Sequence, residues 1–433
     1  MSSALLTDHY ELTMLDAART GGVADTECVF DVFARRLPPG RRYGVVAGTA
    51  RVIDAVSRFR FGDTELAFLD DRQIVSPGTL EWLSTYRFKG DIRGYQEGDV
   101  YFPHSPLMSV QATFADAVIL ETVILSILNH DSAVAAAAAR MVGAANGRPL
   151  IEMGSRRTGE HSAWAAARAA FLVGFEGTSN LEAGRLFGIP TLGTAAHAFT
   201  LLHSSETDAF AAQVAALGTG TTLLVDTFNI ERAVTAAIEV AGPELGAVRI
   251  DSGDLPVIVR QVREQLDRLG ATKTKIVVTS DLDEYTIAGL GSAPVDAYGV
   301  GTAVVTGSGH PAAGLVYKLV AKKTDDDRWL AVQKTSAGKS NAGGAKQAAR
   351  KLSRGIAVSE EIFVGRATPD PTHRPLTVEL ITAGEPVGEV NPHRAVAAAR
   401  DHHKLAMSEL PADQSRLAAG EALIPTVFHE ATA

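Results

Sequence analysis

One histidine and a succession of aspartates stand where side chains could do chemistry. His197 follows the short extended piece Thr191-Leu192-Gly193-Thr194 and opens what reads as a helix, inside a glycine- and hydroxyl-rich stretch from Gly174 to His203. An imidazole at such a junction serves either as a hydrogen-bonded cap or core group, or as a nucleophile and proton carrier. Downstream, Asp226 ends the apolar run Thr222–Val225, Asp251 follows Ala247–Ile250, and Asp281 follows Lys275–Val278. Ala297-Tyr298 then runs into Gly299-Val300-Gly301-Thr302. A single acidic strand end reads as a helix cap. Three in succession, followed by a glycine-rich end, read as the carboxyl edge of a parallel α/β sheet, where barrel enzymes place their chemistry.

The cations have a pattern too. Leu150-Ile151-Glu152-Met153-Gly154-Ser155-Arg156-Arg157 is a short strand ending in a glycine, a hydroxyl and two arginines. Guanidinium groups just past a strand end suit a pyrophosphate or carboxylate, which they bind bidentately, although a surface ion pair is the equally available reading. A loop with Arg35, Arg36, Arg41 and Arg42 is either a solvated turn or positive charge brought to an anionic ligand, here or across a subunit boundary. Gly299-Val300-Gly301-Thr302 has neither dinucleotide nor Walker spacing, so its position after the last clear strand matters more than its motif.

The elements that must carry these groups are legible from pattern. Leu5–Arg19 predicts a helix whose Asp8 and Glu11 have capping-box spacing, with Tyr10 in the first turn. Cys28–Phe33 alternates as a strand, residues 50–88 read as helices, and 88–101 and 107–110 as strands. Residues 112–145 form a long helical stretch that Asn129-His130-Asp131-Ser132 divides in two, with Glu121, Asn129 and His130 as interhelical hydrogen-bonding groups. The expected organisation is an α+β segment at 1–111, a helical connector at 112–149, an α/β barrel domain at 150–320, and a C-terminal segment at 321–433 folding back on the first. The lysines of that last segment, in SAGKSNAGGAKQAARKL, read as a wet face.

Composition narrows the function. Hydrophobic residues make up 46% of the 433 residues and charged residues 21%, an ordinary globular balance. No unbroken apolar run reaches the roughly 18 residues that span a bilayer, so no membrane role is expected. The net charge of -9 excludes a general nucleic-acid surface. The start of the chain lacks a basic region followed by an apolar stretch, and the single cysteine, Cys28, can form neither an internal disulfide nor a thiolate cage. Both point to the cytoplasm.

In order and spacing, TDHYELTML, EMGSRR, GFEGTSN, GTAAHAF, LVDTFN, VRIDSGDL, TSDLDE and YGVGT resemble the nicotinate phosphoribosyltransferase family from about Leu5 to Val320. The resemblance implies an irregular or incomplete α/β barrel of the type II phosphoribosyltransferase kind, with a second α+β domain built from both chain ends. It also implies a reaction in NAD salvage: nicotinate and 5-phosphoribosyl 1-diphosphate give nicotinate mononucleotide and pyrophosphate, with ATP as co-substrate and Mg²⁺ as cofactor. His197 matches a transiently phosphorylated histidine and Asp226 its supporting carboxylate. Asp251 and Asp281 match residues close to ribose and Mg²⁺, Arg156 the leaving-group cation, and Gly301 and Thr302 the 5-phosphate site. Arg249, Thr194 and Tyr10 match the nicotinate site, in a family that is homodimeric and often supplies this aromatic from the second subunit; the sequence leaves open whether Tyr10 reaches its own site or the neighbour's. Relatives that use nicotinamide carry an aspartate where this chain has Ser179, which favours the acid, since serine can donate to a carboxylate that aspartate would repel. Met153 stands where those relatives stack a phenylalanine.

Three rivals follow from the same residues. A quinolinate or nicotinamide phosphoribosyltransferase shares the product class; a non-catalytic nucleotide-binding regulator shares the fold; an aldolase-type barrel would use the aspartates but has no strand-end lysine.

Overall fold

The apolar patterns build two kinds of sheet. The computed structural model describes residues 2–333, 342–365 and 367–430. It divides into one unit of Met1–Ala136 with His310–Ala433 and another of Ala137–Gly309.

The first unit holds an antiparallel seven-stranded sheet in the order Trp329–Ala331, Leu315–Lys323, Glu27–Ala34, Met108–Thr113, Asp91–Tyr95, Thr377–Thr382, Glu385–Pro386. A second sheet orders Arg374–Pro375, Lys346–Ser353, Ile356–Val364 and Thr426–Glu430. The Glu27–Ala34 strand is buried from Cys28 onward, on both faces rather than on alternate residues. Asp31 survives there because Lys346 Nζ lies 2.8 Å from one oxygen and Ser109 Oγ donates to the other at 2.6 Å. Lys346 is therefore buried instead of wet, because the Asp31 carboxylate needs a cation. Lys351 of the same expected face is exposed, and Lys339 lies outside the described residues.

The N-terminal helix is a 3-10 turn, Ala4–Leu6, followed by His9–Thr20. Asp8 is the N-cap but its side chain caps nothing, so the expected capping box does not form. Glu11 turns inward instead: it accepts from the Thr122 N–H at 2.9 Å and from the hydroxyls of Thr122 and Thr7.

The long helical stretch is interrupted earlier than expected, between Phe114–Val118 and Glu121–Ala145. Residues 129–132 stay helical, with Asn129, Asp131 and Ser132 reaching outside the helix for partners, whereas His130, expected as an interhelical group, places Nδ1 2.8 Å from its own neighbour Asp131. Asn129 brackets the Leu315 peptide, its amide donating to the carbonyl at 3.2 Å and its oxygen accepting from the N–H at 2.8 Å. Asp131 pairs with Arg51 at 2.6 Å, and Glu121 with Lys318 at 3.5 Å. These contacts run to strands and other segments rather than between two halves of a broken helix. By length and composition Phe114–Ala145 could cross a bilayer, yet 61% of its most apolar window is buried in the fold, as in a core helix.

The second unit is a parallel six-stranded sheet ordered Gly177–Thr178, Leu150–Glu152, Ala297–Val300, Lys275–Val278, Ala247–Ile250, Thr222–Leu224. Each strand has only two to four residues. Parallel strands need crossovers, and here the crossing elements are mostly helices, such as Glu160–Val173, Ile230–Ala241 and Leu255–Arg268. Polar residues after the strands start several of these helices: Asn180 accepts from Ala183 N–H at 2.8 Å, Asn229 from Arg232 N–H at 3.0 Å, and Asp283 from Thr286 N–H at 2.8 Å. Caps of this kind stabilise a helix by about 1 kcal/mol each.

Candidate active site

Because all six strands run the same way, their carboxyl ends share one edge. Across the sheet that edge carries in turn Ser179, Arg156, Gly301, Asp281, Asp251 and Asp226. The capping duty is done by Asn229 and Asp283, so Asp226, Asp251 and Asp281 are not helix caps.

The Thr191–His197 segment then joins the two ends of the row. Thr191 bridges to Thr178 at one edge of the sheet. Six residues later, His197, the first residue of the His197–Leu202 helix, places Nε2 3.2 Å from Asp226 Oδ1, beside the strand at the opposite edge. On the way, Thr194 Oγ1 accepts from Arg249 Nη1 at 2.6 Å. The edges of the sheet are unpaired with each other, and this crossing segment spans the mouth of the incomplete barrel.

Asp226 is the hub. Its side chain is 1% exposed, and its second oxygen accepts from the Asp251 N–H at 2.9 Å and Ser252 Oγ at 2.6 Å. With both oxygens engaged, the carboxylate fixes the His197 ring and leaves Nδ1 as its other nitrogen. Asp251 accepts from Thr279 Oγ1 through Oδ1. Arg249 is half-buried in its strand; burial lowers its guanidinium pKa, Asp251 and Asp226 oppose that, and Arg156 adds to it. Arg249 Nε is buried without a partner among the described residues, a donor that a ligand could satisfy. Arg156 is exposed and makes no ion pair among the described residues.

His197, Asp226, Asp251, Arg249, Thr194 and Arg156 are thus brought together. Asp281 and Thr302 are exposed on the same edge, and Gly301 immediately precedes the short Thr302–Val305 helix. Ser179 is exposed, its N–H donating to the Glu152 carbonyl at 2.8 Å. Tyr10 belongs to the first unit, on the His9–Thr20 helix, and is 46% exposed. Partial burial, then Glu121, Glu11 and Asp8, push its phenol up to about 12, so it stays protonated.

Several groups at this edge lie in or beside the motifs without a role legible from sequence. Thr279 and Ser252 orient Asp251 and Asp226, and their only mark is a hydroxyl within two residues of a strand end. Glu206 opens the Glu206–Leu217 helix with a buried, unpartnered Oε1, and burial followed by Asp226 raises its pKa.

Comparison with known proteins places the chain as a whole. The model described as the nicotinate phosphoribosyltransferase (NAPRTase) N-terminal domain matches residues 5–129, and that of the NAPRTase family matches 149–353. The chain is 53% identical over 435 residues to nicotinate phosphoribosyltransferase pncB1 of Mycobacterium tuberculosis, covering 98% of this chain and 95% of that one. It is 36% identical over 335 residues to nicotinate phosphoribosyltransferase of Bacillus subtilis, covering 75% and 68%. The crystal structure of human nicotinic acid phosphoribosyltransferase superposes with a TM-score of 0.83 at 24% identity, covering 98% and 97%, a likeness of fold. With both family models matched and a relative aligned over nearly its whole length, the chain belongs to the nicotinate phosphoribosyltransferase family, enzymes of NAD salvage.

Proposed function

We propose that the chain joins nicotinate to 5-phosphoribosyl 1-diphosphate, releasing pyrophosphate, and couples this to ATP hydrolysis through a phosphohistidine at His197. The observation that carries the coupling is the Asp226–His197 pair. Asp226 accepting from Nε2–H leaves the Nδ1 lone pair free to attack the γ-phosphorus, and the carboxylate stabilises the charge the ring gains. The Nδ1–P bond forms as the bond to the β-phosphate oxygen breaks, and ADP leaves.

Arg249 and Thr194 hold the nicotinate carboxylate, a role supported by the Arg249–Thr194 hydrogen bond and the unpartnered Nε. Arg156 meets the pyrophosphate, and Gly301 with Thr302 the 5-phosphate, on the strength of the family resemblance. Asp251 faces the positive charge that develops on the ribose as pyrophosphate departs. The donor set at Asp251 and Asp281 fits Mg²⁺: Asp251 Oδ2 and the Asp281 carboxylate accept no hydrogen bond among the described residues, and oxygen ligands suit this ion. No group of three or more potential metal ligands occurs among the described residues, which suits an ion completed by substrate phosphates rather than a protein cage. When bound, Mg²⁺ would neutralise the leaving pyrophosphate.

The working form is a homodimer, and Tyr10 serves a nicotinate site, its own or that of the second copy. Large apolar side chains left open support association: Leu202 is 81% and Phe228 67% exposed, near His197 and Asp226 in sequence. The buried free thiol of Cys28 agrees with a cytoplasmic setting. The quinolinate, nicotinamide and non-catalytic alternatives are not favoured.

Pyrophosphate release by the purified chain, with nicotinate or nicotinamide and with or without ATP, tests this reading. Release with nicotinate, enhanced by ATP, is expected. His197→Ala should abolish ATP hydrolysis and ATP stimulation while slow transferase activity remains; unchanged coupling in that variant refutes the phosphohistidine assignment.

A further inference from the structure

Glu152 is a carboxylate in an expensive place. It ends the Leu150–Glu152 strand fully buried, with no cation beside it among the described residues, and burial raises its pKa. Removing a charge from water without an ion partner costs several kcal/mol even after relaxation. What offsets the cost is hydrogen bonding from the neighbouring Gly177–Thr178 strand and from the loop that follows Glu152. Thr178 Oγ1 donates to Oε2 at 2.5 Å, and the Gly154 N–H donates to Oε1.

Those two donors belong to a closed ring. Thr178 Oγ1 also accepts from the Asn180 N–H at 3.0 Å, and Asn180 Nδ2 donates to Ser155 Oγ at 3.0 Å, next to Gly154. The Glu152 carbonyl adds a further tie to the Ser179 N–H at 2.8 Å. One branch of the ring therefore carries Arg156, and the other carries Ser179. Gly154 lets its loop lie against another, since a Cβ there would stand 2.8 Å from the Gly301 carbonyl oxygen.

We infer that Glu152 is a positioning residue for both substrates: its carboxylate fixes the spacing between Arg156 and Ser179, linking capture of the pyrophosphate-bearing substrate to preference for the acid over the amide. This rests on the roles given above to Arg156 and Ser179. The chemistry of the ring separates the two branches. In Glu152→Gln the amide oxygen must take the Gly154 N–H, which can only donate, so the new NH₂ faces Thr178 and the threonine proton loses its acceptor. The Arg156 branch is kept and the Ser179 branch is loosened. Thr178→Val removes the same hydroxyl from the other side, whereas Glu152→Ala releases both branches.

The test measures kcat and KM for nicotinate, nicotinamide and phosphoribosyl diphosphate on the full chain, with thermal unfolding to correct for folded fraction. Arg156→Ala and Ser179→Ala serve as references. Glu152→Gln and Thr178→Val should each lower the nicotinate-to-nicotinamide preference about tenfold, the effect of one lost hydrogen bond to a charged group, with the phosphoribosyl diphosphate KM unchanged. Glu152→Ala, where it folds, should in addition raise that KM about tenfold. If Glu152→Gln and Thr178→Val lower only the melting temperature and leave the preference intact, Glu152 is a structural group and the inference is overturned. If Arg156→Ala and Ser179→Ala themselves move neither KM nor preference, the underlying assignments fail, and the inference with them.

Discussion

Asp226→Asn is the substitution whose outcome the hydrogen bonds dictate most tightly. One carboxylate oxygen faces His197 Nε2 at 3.2 Å; the other accepts from the Asp251 N–H at 2.9 Å and from Ser252 Oγ at 2.6 Å. A backbone N–H can only donate, so the asparagine oxygen must take that side and its NH₂ must face His197. The imidazole then has to accept at Nε2 and carry its proton on Nδ1, which removes the lone pair that the proposed mechanism requires for attack on phosphorus. A wrong tautomer held by an isosteric amide costs about 10⁴-fold in a serine-protease triad. The more open His197 ring, with its side chain 40% exposed, should cost on the order of 10³- to 10⁴-fold, or about 4–5.5 kcal/mol of barrier. The assay is transfer of a radiolabelled γ-phosphate from ATP to the protein, as a label stable in base and lost in acid. Transferase activity without ATP should persist, and thermal stability should change little because the two side chains are isosteric. Labelling of Asp226→Asn at the rate of the unmodified chain would show that this carboxylate does not set the tautomer.

Three further substitutions probe separate parts of the molecule. Arg249→Lys loses the fork that reaches Thr194 and the buried Nε, so the nicotinate KM should rise about 10- to 100-fold with little change for phosphoribosyl diphosphate; equal changes in both would argue against a carboxylate site. Gly154→Ala would put a Cβ 2.3 Å from Val305 Cγ1 and 2.8 Å from the Gly301 carbonyl oxygen, so it should weaken phosphoribosyl diphosphate binding and lower the melting temperature, as kinetics and calorimetry can check. His403, in the first unit, is held neutral, its pKa lowered to about 4 by burial while its Nδ1 lies 2.9 Å from the Gly98 carbonyl oxygen. A folded pKa below the unfolded value of about 6.5 means that its stabilising contribution is complete above pH 6.5 and is lost as pH falls toward 4, by about 3 kcal/mol. His403→Gln should flatten that part of the urea-denaturation pH profile, and an unchanged slope would assign the acid sensitivity elsewhere.

Legibility in the sequence followed the locality of the cause. The parallel strands and their polar ends could be read because each signal sits within a few residues: a short apolar run, then an aspartate, arginine or glycine. The order along the edge could not, since it depends on which strands pair, and the Ala297–Val300 strand slots between Leu150–Glu152 and Lys275–Val278. Misreadings arose where a polar side chain found a partner far along the chain. Asn129 looked like a helix break but grips the Leu315 peptide, and Glu11 looked like half of a capping box but serves Thr122. Glu152 passed without notice for the same reason. Its function lies in the Gly154 and Thr178 donors, and a glutamate closing an apolar strand gives no local sign of them.

The geometry also explains why a histidine on so short a helix can be a reactive group. The six residues of His197–Leu202 supply little intrinsic stability, and the helix has no side-chain N-cap bond. What fixes its first residue is a segment anchored at both ends. Thr191 is tied to Thr178 at one edge of the sheet, and His197 meets Asp226 at the other, while Arg249 holds Thr194 midway. An open sheet leaves both edges available for this, whereas a closed barrel would have paired them. The incompleteness of the barrel is thus what allows one segment to reach both the Asp226 carboxylate and the Arg249 guanidinium. Any ligand that engages Arg249 therefore acts on the same strap that positions the imidazole, which under the proposed roles would give nicotinate binding and phosphoryl transfer a shared element.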